Sequence, residues 1–205
     1  MRVALSSRSL LCLLTIVAIV VCGCVRSPAP RFYALSSMQE SQDLSSQRSP
    51  VKDAVIGIGP VKLADYLDQS QIVTRTSNNQ VVKAEFHRWV GPFKDNFMNV
   101  LADDIGFLLS TERIYLYPWR QSVPIHYQVT VDVVRCDGRL GDAAVLETRW
   151  SVFKGPEKKL LTTSRSSISE PVTGGDYSDL VAAQSRALAK FSQEIAAAIK
   201  QAGKN

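Results

Sequence analysis

A strict alternation of apolar and polar residues in the C-terminal half is the feature that most restricts the fold of this 205-residue chain. Residues 125–133 place an apolar side chain at every second position, with His126, Gln128, Thr130 and Asp132 between them. A period of two predicts a β-strand with one buried face and one solvated face. Residues 144–152 repeat the pattern, and the Ser- and Thr-rich residues 160–168 show a weaker form of it. The sequence therefore predicts three strands in a meander.

Two further strand signals precede the meander. Residues 54–61 predict a buried strand that ends at Gly59-Pro60. Residues 71–76 and 80–85 flank Ser77-Asn78-Asn79, a run of residue types that tolerate positive φ. These two segments predict a β-hairpin.

Two amphipathic helices complete the predicted domain. The first has Pro92 at its start and carries one apolar stripe made of Phe93, Phe97, Val100, Leu101, Ile105, Leu108 and Leu109. The second follows Gly174-Gly175, with Asp176 as its N-cap, and carries a stripe made of Tyr177, Leu180, Val181, Leu188, Phe191, Ile195 and Ile199. With five or six mostly antiparallel strands, these helices predict an α+β two-layer domain whose sheet they cover on one face.

The N-terminus has the pattern of a secretory signal. An apolar run of 13 residues, 10–22, follows Arg2 and Arg8 with no acidic residue nearby. Thirteen residues are too few to cross a bilayer as a helix. Removing residues 1–23 would take away two basic residues and no acid, which lowers the net charge from +5 to +3. The remaining basic residues are scattered, so the charge pattern does not favour nucleic-acid binding.

The end of this apolar run resembles a bacterial lipobox. In Val21-Cys22-Gly23-Cys24, an aliphatic residue stands at −3 and a small one at −1 relative to Cys24. Taking Cys22 as the acceptor instead would put bulky Val21 at −1, and an ordinary signal peptide with free cysteines is the other alternative. We expect Cys24 to be lipidated. Val25 follows the acceptor where Asp would direct retention in the inner membrane, which indicates the outer membrane.

These boundaries divide the chain into three parts. Residues 1–23 are a lipoprotein signal peptide, residues 24–31 are the lipidated Cys and a short tether, and residues 32–203 are a single periplasmic domain. Residues 31–35 predict a short strand at its start, and the Ser- and Gln-rich residues 36–53 predict a surface loop.

Catalytic signals are weak. The two histidines, His87 and His126, begin no metal-ligand cluster, and Gly57-Ile58-Gly59-Pro60 leads into a strand rather than the helix that a nucleotide-binding loop requires. Asp103-Asp104 lies on a helix, where adjacent side chains diverge by about 100°. Cys136, which has no partner for a disulfide, is expected to be a small strand residue. We expect a protein that is not an enzyme and holds no cofactor or metal.

Aromatic loops are the better candidates for function. Tyr66, Leu67 and Asp68 follow the first long strand, and Tyr117, Pro118 and Trp119 follow the first helix. Tyr and Trp are enriched among the residues that anchor protein interfaces, so we predict that both loops bind a partner. The alternative is that Trp89 and Trp119 cap the hydrophobic core.

Four segments together resemble a known family. Residues 56–75, 85–89, 117–119 and 149–150 are similar in sequence and spacing to the ABC-type transport auxiliary lipoproteins. The resemblance implies a lipoprotein of the outer membrane, facing the periplasm and without enzymatic activity. It also implies two partners, a periplasmic MCE-domain protein and its inner-membrane multipass partner, in phospholipid transport between the two membranes.

The resemblance suggests a mechanism and leaves alternatives. We expect the domain to dock the MCE protein at the outer membrane, and we expect a homo-oligomer, such as a ring, because MCE partners are symmetric. One alternative is an assembly factor for an outer-membrane protein or for lipopolysaccharide machinery. The other is a periplasmic lipid-binding carrier, which would need a continuous apolar cavity.

Overall fold

The computed structural model describes residues 8, 28–38 and 54–203. Cys24, the apolar run at residues 10–22 and residues 39–53 of the predicted loop lie outside the described residues. The described elements, in chain order, are β1 (Arg31–Tyr33), β2 (Ile56–Leu63), β3 (Gln71–Ser77), β4 (Gln80–Trp89), α1 (Phe93–Leu109), β5 (Ile114–Leu116), β6 (Tyr127–Gly138), β7 (Ala143–Lys154), β8 (Lys159–Pro171) and α2 (Tyr177–Gly203).

The strands of the described residues form two mixed sheets. A five-stranded sheet has the order β5-β2-β6-β7-β8, and a three-stranded sheet has the order β1-β4-β3. The meander β6-β7-β8 and the hairpin β3-β4 are antiparallel, as the sequence predicts. β2 runs parallel to β5 and β6, and β1 runs parallel to β4. The chain is therefore an α+β domain with helices packed on a sheet, which confirms the predicted fold class.

The buried face of β6 and the apolar stripes of the two helices pack together in one core. Tyr127, Val129, Val131 and Val133 are buried, whereas Asp132 is exposed. The predicted stripe of α1 is buried in full, and that of α2 is buried except for half-buried Tyr177. Burial of these stripes against the sheet is the main favourable term in folding.

The start of α2 is capped as predicted. The Asp176 carboxylate accepts the N–H of Tyr177 at 2.6 Å. The Asp179 carboxylate reaches back to accept the Asp176 N–H at 3.2 Å. Two backbone donors that a helix start leaves unsatisfied thereby find acceptors, and both acidic groups lie at the positive end of the helix dipole.

Two details of the sequence prediction are wrong. β2 does not end at Gly59-Pro60 but continues to Leu63, because a register shift between Ile58 and Val61 absorbs the proline. Gln128, predicted on the solvated face of β6, is buried, and its side-chain amide donates to the Gly59 carbonyl at 2.9 Å. The bulge in β2 therefore accounts for both differences, since it frees a carbonyl that a neighbouring polar side chain then satisfies.

The domain has two ends, set by the direction of β2 and α2. At the distal end, the first residues of β2 and β5 pair with each other, and the start of β8 lies beside Ala198 and Ala202 near the end of α2. At the tether end, Pro28 and Ala29 line a hollow with His87 of β4 and Tyr177, the first residue of α2. Between Tyr177 and Ala198 an α-helix rises about 30 Å.

The chain after β1 lies along both helices. The N–H of Leu35 donates to the Asn96 side chain at 2.7 Å, and that of Met38 donates to the Asp104 carboxylate at 2.8 Å. The Ser36 N–H donates to the Ser185 hydroxyl at 3.1 Å. Met38 is buried, so the described start of the predicted surface loop is part of the core. Side chains of the two helices thus hold this segment in place.

Candidate functional site

The Tyr117–Trp119 loop forms an exposed aromatic surface beside the edge strand β5. Tyr117 is 50% exposed, and its ring contacts that of half-buried Trp119 edge to face at a centroid distance of 5.5 Å. Tyr115, which pairs with Gly57 across the ladder, is also exposed. We call Tyr115, Tyr117 and Trp119 the aromatic ledge.

Two glycines of β2 make room for the ledge. A Cβ atom at Gly57 would lie 2.8 Å from the tip of the Trp119 ring, and one at Gly59 would lie 2.6 Å from Tyr117 Cβ. Gly59 also has a φ of +119°, which residues with a side chain rarely adopt. The Tyr117 N–H donates to the Ile58 carbonyl at 2.9 Å. Gly57 and Gly59 of β2 thus leave the space into which Trp119 and Tyr117 pack.

The Tyr66–Asp68 segment differs from the ledge in its exposure. Asp65–Leu67 forms a short 3-10 turn directly after β2. Leu67 is 3% exposed and belongs to the core, Tyr66 is half-buried, and Asp68 is exposed. Leu67 therefore supports the turn from beneath, and the prediction that this segment binds a partner depends on Asp68 and the exposed edge of Tyr66.

A buried charge network fixes the Tyr66 turn. Asp137 is fully buried near the end of β6 and accepts the Tyr66 hydroxyl at 2.9 Å. The Arg75 Nε donates to both oxygens of the Asp137 carboxylate, at 2.8 and 2.9 Å, and the Arg135 Nε donates to one of them at 2.8 Å. These bonds connect the end of β2 to β3 and β6.

The network also raises the pKa of Tyr66 and that of Arg75. Burial and the negative charge of Asp137 raise the pKa of Tyr66 to about 12, so the hydroxyl keeps its proton and donates it. The hydrogen bond to Asp137 raises the pKa of Arg75. Both shifts favour the observed donors, and the Asp137 carboxylate accepts hydrogen bonds from Tyr66, Arg75 and Arg135.

The two predicted partner-binding segments lie apart. Tyr117 packs beside Gly59, whereas the Asp65–Leu67 turn begins six residues further along, past the end of β2 at the tether end. At about 3.3 Å per residue, six extended residues span roughly 20 Å. The structure therefore does not bring the two segments into one site.

Trp89 and Trp119 differ in whether they cap the hydrophobic core. Trp89 is buried, and its ring packs against Phe93 at a centroid distance of 4.7 Å. Trp150 is also buried, with its indole N–H donating to the Ser166 hydroxyl at 2.9 Å. Trp89 therefore caps the core, as the alternative interpretation has it. Trp119 covers Gly57 on the sheet surface.

The remaining candidates for chemistry have structural partners. His87 stacks on Tyr177 at 3.9 Å, and its Nδ1 lies 2.7 Å from the Tyr33 hydroxyl. Cys136 is a buried strand residue, and burial raises the pKa of its thiol to about 12. Within residues 28–38 and 54–203, no three His, Cys, Asp or Glu side chains cluster as a metal site would require.

An open groove lies between α1 and β5. It has a volume of about 580 Å³, and apolar Phe107, Ile114 and Leu116 share its lining with polar residues such as Asp103 and Glu112. No helix in the described ranges is both long enough and apolar enough to cross a membrane.

Solved structures share this fold. A crystal structure of an uncharacterised protein matches with a TM-score of 0.68 and 20% identity, over 84% of this chain and 99% of its own. Protein XCC0632 from Xanthomonas campestris, a DUF330 protein, matches with a TM-score of 0.65 and 14% identity, over 85% of this chain and 100% of its own. At these identities the likeness shows the fold alone.

Sequence comparisons give the family. No curated protein matches the chain. The model of the ABC-type transport auxiliary lipoprotein component matches residues 33–196, from the end of β1 into the last turns of α2. Because this match spans most of the chain, the protein belongs to the family of ABC-type transport auxiliary lipoprotein components.

Proposed function

We propose that the protein is an outer-membrane-anchored periplasmic lipoprotein that serves an MCE-type phospholipid transport system without catalysing a reaction. In this proposal the domain docks the periplasmic MCE-domain protein at the outer membrane, so that lipid leaves a closed conduit beside the bilayer. Membership of an auxiliary family of ABC-type transport supports a non-enzymatic role. The segments 56–75, 85–89, 117–119 and 149–150 resemble those of paraquat-inducible protein C, which favours the MCE system among such transporters.

The anchor in this proposal is Cys24. The apolar run at residues 10–22 and the small Gly23 before the acceptor support processing as a lipoprotein. Three acyl chains would hold the domain permanently, since each buried CH₂ adds about 0.8 kcal/mol of membrane affinity. Val25 after the acceptor supports the outer membrane as the destination.

The observation that carries the docking proposal is the exposed aromatic ledge. Tyr117 and Trp119 stand on backbone that two glycines bring close, so the rings are held in place before any partner arrives. Rigid aromatic anchors lose little conformational entropy on binding, which is why they dominate many interfaces.

The groove bears on the lipid-carrier alternative. A carrier requires a continuous apolar cavity, whereas the groove between α1 and β5 is open and lined partly by Asp103, Ser110 and Glu112. Its lining therefore suits water and polar groups better than an acyl chain. The assembly-factor alternative differs in its partner and is distinguished by the following experiment.

Site-specific crosslinking in intact envelopes tests the proposal. A photoreactive amino acid replaces Tyr117 in one variant and Leu140 in the matched control, since Leu140 is also exposed and lies in the turn after β6 at the tether end. We expect the Tyr117 variant to crosslink to the MCE-domain protein and the Leu140 variant not to do so. Crosslinking of Tyr117 to an outer-membrane β-barrel or lipopolysaccharide protein, without the MCE protein, would favour the assembly-factor alternative. Native mass spectrometry of the purified lipoprotein tests the homo-oligomer.

A further inference from the structure

Two strongly exposed apolar side chains lie on the same face of the β1-β4 ladder at the tether end. Phe32 is 59% exposed and Val90 is 69% exposed. Phe32 pairs with Arg88 in the β1-β4 ladder, and the Val90 N–H continues that ladder by donating to the Tyr33 carbonyl at 2.9 Å. Because side chains alternate across a strand, Phe32 and Val90 point to the outer face while Tyr33 and Trp89 point inward.

No packing or pairing among the described residues explains why the side chains of Phe32 and Val90 are exposed. Exposed apolar residues that stand alone are ordinary, but adjacent ones mark contact with a partner or a membrane. Gly91 and Pro92 follow Val90 and are also exposed, so the small apolar surface continues to the start of α1. Arg88 pairs with Phe32 and borders this surface on β4, whereas Arg31 belongs to the opposite face and lies 4.0 Å from Asp176. An apolar surface with a basic residue at its border suits the interface of an anionic bilayer.

The length of the tether indicates that this surface contacts the bilayer. Pro28 and Ala29 already line the hollow beside His87 and Tyr177, so the chain is in contact with the domain from Pro28 onward. Only residues 25–27 separate Pro28 from Cys24. Four Cα–Cα steps of 3.8 Å span at most about 15 Å. An acylated Cys24 would thus hold the tether end within about 15 Å of the lipid headgroups.

We propose that Phe32 and Val90 insert into the interface of the same bilayer that holds the acyl chains of Cys24. The domain then stands on its tether end, with α2 leading away from the membrane. This inference rests on the anchor of the proposed function, but it is independent of the MCE protein and of the aromatic ledge.

Leu160 provides a matched control for this face. Its side chain is 54% exposed, close to the value for Phe32. It lies at the start of β8, whose neighbours Lys159 and Leu161 line a groove with Ala198 and Ala202 near the end of α2. Leu160 is therefore as apolar and as exposed as Phe32, but it is at the distal end, about 30 Å along the helix.

Spin-label accessibility measures where each position lies. The full chain is purified from membranes and placed in vesicles of phosphatidylethanolamine and phosphatidylglycerol, with Phe32→Cys, Val90→Cys or Leu160→Cys carrying a nitroxide. Cys136 is buried and stays unlabelled in the folded protein, and an acylated Cys24 has no free thiol. We expect labels at positions 32 and 90 to collide with oxygen several-fold more than with a water-soluble nickel chelate. The label at position 160 should show the reverse.

Three other outcomes overturn the inference, each in a distinct way. Nickel accessibility at positions 32 and 90 equal to that at 160, in protein that remains on the vesicles, removes the membrane face and leaves the anchor intact. Shielding from both reagents shows that protein, such as a second copy of this chain, covers the face. Labelling of the unsubstituted chain together with release from the vesicles refutes the lipidated Cys24, and the membrane face with it.

Discussion

The close approach of Trp119 to Gly57 makes a single methyl group a test of the aromatic ledge. In Gly57→Ala, the new Cβ would lie 2.8 and 2.9 Å from two atoms of the Trp119 ring and 3.1 Å from an Ile125 methyl. Cβ atoms essentially never approach carbon atoms this closely, so the ring must move. Overpacking of this kind typically costs about 1–3 kcal/mol. In a domain of this size each kcal/mol lowers Tm by about 2–4 °C.

The measurement pairs thermal unfolding with a readout of the ledge. We expect Gly57→Ala to lower Tm by about 2–12 °C from these magnitudes. Crosslinking from Tyr117 to its partner should fall at a temperature where the variant is still folded. Gly91→Ala is the control, because a Cβ there meets nothing within 4 Å and its φ is not in the left-handed region. It should leave both Tm and crosslinking unchanged.

Either of two results would refute this reasoning. If Gly57→Ala unfolds at the same temperature as the parent chain, Trp119 is not seated on Gly57 in solution. If Tm falls but crosslinking from Tyr117 persists at full strength, the partner does not depend on how the ledge is held. The second result would move the docking surface elsewhere while leaving the packing argument intact.

The remaining predictions concern four other side chains. Cys24→Ala should leave the precursor unprocessed and unacylated, which mass spectrometry of the membrane fraction checks. Cys136 should react with thiol reagents only on unfolding, and Cys136→Ser should cost no more than about 1–2 kcal/mol in denaturant titrations. Burial raises the pKa of Asp104 from 3.8 to about 6, so the folded state holds a proton that the unfolded chain releases. That contribution to stability is complete below pH 4 and lost as the pH rises to 6, and Asp104→Asn should flatten the Tm profile there. Asp137→Asn should cost about 3–5 kcal/mol in the same titrations, because it removes the buried charge that Arg75 and Arg135 share, and Arg135 then keeps only the more distant Glu147 at 3.8 Å.

Much of this fold is readable from local patterns. The period of two in residues 144–152 places Leu146, Trp150 and Val152 in the core, and the structure has all three buried. The stripe of α1 is equally clear, because seven apolar residues recur at helical spacing. Such segments are decided by burial of one face, which a short window of sequence already encodes.

The features that the sequence did not reveal depend on distant contacts. β5 has only three residues and pairs with β2, more than fifty positions earlier, so no periodicity marks it. Asp137 follows a register shift in β6 and is buried because Arg75 from β3 and Tyr66 from the turn after β2 pack onto it. Buried carboxylates are rare, so a lone Asp near a strand end is normally expected in water. The contact of Gly57 with Trp119 is likewise visible only after folding, since they are 62 positions apart in the sequence.

The positions of the two ends constrain how docking and anchoring can combine. The ledge sits beside the first half of β2, towards the distal end, whereas Asp68 and the Phe32–Val90 face lie at the tether end. If the tether end rests on the bilayer, a partner from the periplasm can reach Tyr117 without displacing lipid. A contact through Asp68 would instead form close to the headgroups. The ledge and the Asp68 turn, which the sequence predicts as two partner-binding loops, would then meet different surroundings in one protomer and act as two surfaces with separate roles.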